Sequence, residues 1–171
     1  GTMGINAEPN AGSIYRYYRG ELRQLYPDIT ISNSICFTPD RAFAYYTDTD
    51  TGLLMRQPLD RDDGWPVGTP DVFLDLSGED FGIDGSVVDM DGNIWNAQWG
   101  ASRVACYAPD GTLLRSVDIP AEQATCPAFC GPDLNQLYVT SAANGGKPAP
   151  AGQTFAISMD VTGQKEHQVI L

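Results

Sequence analysis

Three stretches of this sequence can be laid under one another: "NSICFTPD" (33–40), "DGSVVDMD" (84–91) and "CPAFCGPD" (126–133). Each has a short core of small or apolar residues and ends on an acidic turn. Each is followed by an aromatic and β-branched run, "RAFAYYTDT", "GNIWNAQWG" or "LNQLYVTSA", and then by another, "GLLMRQP", "SRVACYA" or "QTFAIS". A fourth run is clearest at "DVFLDL" and "LLRSVDI". Runs of this kind divided by Asp-Gly, Pro-Asp and Asn-Gly turns read as strands joined in hairpins. The units are offset by 51 and 42 residues. A repeat of about 40 to 50 residues with four short strands is the signature of a β-propeller blade, one of several sheets standing around a central channel. No segment of sustained helical period competes. The expected fold class is therefore all-β, a β-propeller of four-stranded antiparallel blades. The run "GSIYRYYRGELRQL" reads as the tail of a preceding blade. The chain then divides into the end of a blade (1–28) and three blades (29–77, 78–120 and 121–171). That is a single partial propeller domain of about three and a half blades, where closed rings have about four to eight.

The repeat register carries functional information. In a propeller the first strand of each blade lines the channel, and its start faces one mouth. The equivalent first positions are Asn33, Asp84 and Cys126. Asn33 and Asp84 are therefore expected to converge at one mouth. Asp89 and Asp91 fall beyond the strand, at its other end. Asp40 and Asp133 share the slot of Asp91, and repetition of Asp at one turn slot reads as turn formation. Asp48 and Asp50 in "TDTDTG" lack the glycine spacing and distal Glu of an EF-hand, so they read as a hairpin loop. "DRDD" (60–63) reads as a solvated loop. Trp95 and Trp99 alternate onto one strand face and are expected to pack between blades. Trp99 and Glu8 are kept as further candidates for the channel.

Composition removes several classes of function. The 10 basic and 22 acidic side chains give a net charge of −12. Lys and Arg are nowhere clustered, so no nucleic-acid partner is expected. No apolar run nears the ~18 residues of a membrane helix, and no leader is legible at the start. The expectation is a soluble, cytoplasmic protein with no membrane partner. The single histidine, His167, leaves little room for a Ser-His-Asp triad or a His-rich zinc site. No Walker loop and no G-x-G-x-x-G occur. The four cysteines, Cys36, Cys106, Cys126 and Cys130, form no C-x-x-C pair and are expected to be buried free thiols.

Several motifs resemble the regucalcin (senescence marker protein)/gluconolactonase family. "ISNSICFTPDRAFAYYTDTDTG" resembles the family's Ser-Asn-Gly-Leu stretch, followed by Ser-Pro-Asp and a Tyr-Tyr-x-Asp strand. "IDGSVVDMDGNIWNAQWGASRVACYAPDGTLL" resembles its Pro-Asp-Gly stretch with Gly-x-Leu-Trp-x-Ala and Arg-Val-x-x-Tyr-x-Pro-x-Gly. "ATCPAFCGPDLNQLYVTSA" resembles its Thr-Ser-x-Ala-Phe-Gly-Gly stretch with Leu-Tyr-Val-Thr. The resemblance implies a six-bladed propeller whose channel holds a divalent cation, usually calcium, with zinc, magnesium and manganese as alternatives. It implies hydrolysis of sugar lactones or related esters. By the same resemblance, Asn33 and Asp84 are metal ligands, and Asp84 also steers or deprotonates the attacking water. The family's Glu ligand from the first blade has no counterpart, and its Gly after the Asn is Ser34 here. The expected partners are a small lactone or ester, and either further copies of the chain or a missing N-terminal half to complete the ring. The competing reading is a non-catalytic half-propeller that serves as an assembly or ligand-binding module.

Overall fold

The computed structural model describes residues 1–168. Its strands lie in four separate antiparallel sheets. β1 (Gly12–Tyr18) and β2 (Glu21–Ile29) form a two-stranded sheet. β3 (Ser32–Phe37), β4 (Phe43–Asp48), β5 (Leu53–Pro58) and β6 (Asp71–Asp75) follow as the first complete blade. β7 (Gly82–Val88), β8 (Ile94–Trp99), β9 (Arg103–Tyr107) and β10 (Leu113–Asp118) make the second. β11 (Ala124–Cys130), β12 (Gln136–Ser141) and β13 (Thr154–Ser158) make a three-stranded third. Strands run in chain order from the inside of each blade outward, and β7 packs between β3 and β11. This is the propeller arrangement. Among the described residues no helix is long and apolar enough to cross a membrane.

Sequence pattern explains the burial. A strand in the middle of a blade is covered on both faces by neighbouring blades, so it reads as a continuous apolar run. Ile94 to Gln98 of β8 are all buried, Asn96 and Gln98 among them. One core fills the wedge between the first and second blades, with Tyr45, Leu54, Ile83, Val88 and Ile94. The other lies between the second and third blades, with Trp95, Val104, Leu137 and Val139. Trp95 is fully buried and meets Phe129 edge-on at 5.7 Å, so it packs between blades as its alternation implies. Burying a side chain of that size stabilises by about 3 kcal/mol. The two-stranded sheet joins through Ile14, Ile29 and Tyr46, with Tyr26 stacked on Tyr46 at 4.3 Å.

The two ends of the inner strands differ. At the hairpin end, Asp89 is 1% exposed and its carboxylate is saturated. It accepts bonds from the backbone amides of Asp91 (3.0 Å) and Asn93 (2.9 Å), from Asn93 Nδ2 and from Trp95 Nε1 (2.9 Å). The slot assigned to Asp91 is occupied differently: Asp91 is an exposed turn residue, and Asp89 makes the bonds that shape the turn. The segment after β13 crosses this end. Met90 N donates to Thr162 O, Gly163 N to Leu134 O and Gln164 Nε2 to Phe37 O at 2.7 Å. His167 Nε2 lies 3.5 Å from the Thr38 carbonyl oxygen. The hairpin end is thus strapped over, which leaves the start of the inner strands as the open end.

Two smaller expectations are settled here. Asp48 is buried and accepts from Thr30 N and Ile31 N, both at 2.8 Å, so it ties the end of β2 to the end of β4. The cysteines are free, but only Cys36 and Cys106 are buried; Cys130 is half-buried and Cys126 exposed. The expectation of four buried thiols fails because Cys126 and Cys130 sit on the innermost strand of the third blade, on which no further blade packs among the described residues.

Candidate functional site

Each inner strand is irregular near its start. Pairing of β3 with β4 skips between Asn33 and Cys36, that of β7 with β8 between Ile83 and Ser86, and that of β11 with β12 between Ala124 and Cys126. A bulge leaves residues without ladder partners and re-aims their side chains. Asp84 and Gly85 fall inside the bulge of β7. The Asp-Gly pair is therefore no hairpin turn. Its glycine answers to packing: a Cβ on Gly85 would stand 2.8 Å from both Cys126 Sγ and Thr125 O. Only a residue without a side chain lets β11 approach β7 so closely.

The structure places Asn33 and Asp84 at the same end of adjacent inner strands. Two hydrogen-bonded links join the strands there. Asn33 Nδ2 donates to Thr49 Oγ1 at 2.9 Å, and Thr49 Oγ1 donates to Ile83 O at 2.6 Å. Ser34 Oγ donates to Asp84 O. Because its amide nitrogen is committed to Thr49, Asn33 presents Oδ1 as its remaining group. A shallow cleft lined by Ser32, Asn33, Ser34, Ile35, Gly85, Ser86 and Cys126 opens at this end; Asp84 adjoins it through Gly85 and is not itself one of its lining residues.

Asp84 is half-buried, and burial pushes its carboxyl up to about 6, with the Gly85 amide pulling the other way. Burial disfavours the charged form when no cation compensates it. Cys126 is exposed as a residue, but its sulfur rests against Gly85; the partial desolvation of that sulfur and then the nearby Asp84 charge raise its thiol. Among the described residues no group of three or more His, Cys, Asp and Glu side chains is placed to hold a metal ion. The donors present, an amide oxygen and a buried carboxylate short of positive charge, have the chemistry a hard divalent cation takes. They supply two of the six to eight oxygens calcium usually takes.

The other candidates fall away from the cleft. Glu8 is exposed, and its carboxylate caps a local turn at Asn6 N (3.1 Å) and Asn6 Nδ2 (2.9 Å). Trp99 is half-buried beside Gly82 at the correct end, where it bridges to Gln123. Sequence reasoning passed over Ser34, Ser86, Asn96 and Thr49, which tie the two candidate ligands together. One signal was available: "NIWNAQW" carries Asn96 in the middle of a strand otherwise reading as core, and a polar residue buried there needs partners.

Comparison with known proteins gives a consistent result. A family model described as "SMP-30/Gluconolactonase/LRE-like region" matches residues 1–143. A putative sugar lactone lactonase of Rhizobium meliloti is 46% identical over 97% of this chain and 58% of its own length. A 6-deoxy-6-sulfogluconolactonase of Pseudomonas putida is 37% identical over 83% of this chain and 49% of its own. The crystal structure of a calcium-binding protein, regucalcin, from Agrobacterium tumefaciens superposes with a TM-score of 0.95 at 43% identity, covering 99% of this chain and 59% of that one. The chain thus spans between about half and three fifths of the length of these relatives.

Proposed function

Because this chain belongs to the SMP-30/gluconolactonase/LRE-like family, we propose that it carries part of a divalent-cation-dependent site for hydrolysis of a sugar lactone or related ester. The observation that carries the reading is that Asn33 and Asp84 stand at the same open end of β3 and β7, beside and within bulges joined by Ser34 and Thr49. Asn33 Oδ1 and the Asp84 carboxylate would hold the cation, calcium by preference, with zinc, magnesium and manganese as competitors. Bound there, a hard cation polarises an ester carbonyl and stabilises the oxyanion that forms. Asp84, ionised when it holds the cation, is the carboxylate in reach of a water at this site. It orients a water molecule and takes its proton as the water oxygen attacks the lactone carbonyl carbon. The ring C–O bond then breaks, and the leaving oxygen is protonated to the alcohol of the open hydroxy acid. The substrate is a small neutral or weakly charged lactone, since a chain of net charge −12 disfavours polyanions. Four free cysteines fit the reducing cytoplasm, where this reading puts the protein.

Among the described residues the complete blades have four strands, β1–β2 is a two-stranded sheet and β11–β13 a three-stranded one. A segment equivalent to the rest of the longer relatives, or further copies of the chain, would complete the ring. The alternative, a non-catalytic half-propeller, draws on the want of a third acidic ligand among the described residues.

The test is calcium binding by titration calorimetry and lactone hydrolysis by pH-indicator assay. Asn33→Ala and Asp84→Ala should each abolish both. Unchanged calcium binding in both variants would overturn the site assignment. Binding without hydrolysis, even with the rest of the ring supplied, would favour the binding-module reading.

A further inference from the structure

A directional hydrogen-bond chain crosses from the second blade to the first directly behind the candidate ligands. Asn96 is 1% exposed in the centre of β8, and its Nδ2 donates to Ser86 Oγ at 3.0 Å. Ser86 Oγ and Ser34 Oγ are 2.8 Å apart, and Ser34 Oγ donates to Asp84 O. With its own proton on Asp84 O, Ser34 must receive the proton of Ser86. The order is then Asn96 N–H, Ser86 O–H, Ser34 O–H, Asp84 C=O, every donor pointing the same way. Weaker approaches of Asn96 Nδ2 to Asp84 O (3.3 Å) and Gly85 O (3.4 Å) brace the same bulge. Chains of this kind are polarised along their length, and in a buried setting each link strengthens the next.

Two features accompany this chain. Ser34 has φ 56°, in the left-handed region where glycine is at ease and a side chain is strained. Asn96 Oδ1 is buried with no hydrogen-bond partner among the described residues. Both stand where the bulge of β3 faces that of β7.

We propose that Ser34, Ser86 and Asn96 form an inter-blade clamp that fixes the Asp84–Gly85 bulge of β7 against the Ser34–Ile35 bulge beside Asn33, and that these three are positioning residues setting cation affinity. The inference that the clamped bulges hold a cation rests on the function proposed above; the clamp itself does not.

The test uses Ser34→Gly, Ser86→Ala and Asn96→Leu with two readouts. In the metal-free protein, amide hydrogen exchange at Asp84, Gly85 and Ser86 should quicken about tenfold or more relative to amides of β9 in the same sample. In calcium titrations the dissociation constant should rise about 10- to 100-fold, the range for residues that orient ligands without touching the metal. Ser34→Gly is decisive, because glycine relieves the backbone strain: a merely structural serine predicts equal or higher thermal stability with exchange and affinity unchanged. That outcome overturns the proposal. Quickened exchange with calcium affinity unchanged overturns its second half. Quickened exchange in a protein that binds no calcium at all keeps the clamp and overturns the function proposed above. If Asn96→Leu fails to fold, Ser34→Gly and Ser86→Ala decide the matter alone.

Discussion

An aspartate stands near the start of β7 and another directly after its end, and the two could hardly be treated more differently. Asp89, at the strapped end, is buried under bonds from two backbone amides, Asn93 Nδ2 and the Trp95 indole. Asp84, at the open end, is half-buried, and its carboxyl is driven up to about 6 by burial that only the Gly85 amide opposes. A carboxylate that the fold has satisfied is a structural part. One that the fold has desolvated without a counter-charge is available to a ligand or a reaction. The same residue type five positions apart thus serves two purposes, decided by what surrounds it.

That contrast is breakable in four ways. The largest effect should come from Asp89→Ala, which strands the Trp95 indole in the core and removes the acceptor of the Asp91 and Asn93 turn amides; we expect a loss of about 3 kcal/mol in urea unfolding, with calcium affinity little changed in the folded fraction. Next is Asp84→Asn. It should lower calcium affinity on the order of 100-fold, yet stabilise the metal-free protein at pH 7 by on the order of 2 kcal/mol, since it removes a charge that folding desolvates. If it destabilises, Asp84 is a structural aspartate like Asp89 and the comparison collapses.

The third prediction concerns pH. The Asp84 carboxyl has a folded value near 6 against an ordinary 3.8. Between those values the folded state holds more protons than the unfolded state, so metal-free stability should fall as pH rises through that window and level off above it. The difference between wild type and Asp84→Asn, followed by thermal unfolding across the window, isolates this contribution. Calcium affinity should move the opposite way, weakening as pH drops through about 6, because cation and proton compete for one carboxylate. The smallest effect belongs to Asp91→Ala: an exposed turn residue should cost less than about 0.5 kcal/mol. A loss as large as that of Asp89→Ala would restore Asp91 as the turn's organiser.

Much of this was legible in the sequence. Alternation and turn residues gave the strands, and the repeat gave their grouping and the ends at which Asn33 and Asp84 stand. These are local properties: the pleat sends successive side chains to opposite faces, and Asp-Gly or Pro-Asp reverses a chain, whatever lies beyond. The repeat also put Asp91 in the turn, where it stands; that the Asp89 carboxylate makes the bonds shaping that turn was not legible, since slots aligned in sequence do not say which carboxylate bends back onto the backbone. Why Gly85 is glycine was hidden altogether, because the obstacle is Cys126 and Thr125 on another blade.

What the sequence by itself determined is a set of sheets, their order, and an amide and a carboxylate sharing one end of the channel strands. What only the tertiary structure decided is how those groups are held and charged. The clamp joins Ser34 to Asp84 across 50 residues of chain, and the raised carboxyl depends on how deeply β7 sits between β3 and β11. Both follow from the packing of one sheet on the next, which no local pattern encodes, because burial and the pairing of polar groups are properties of the space between blades.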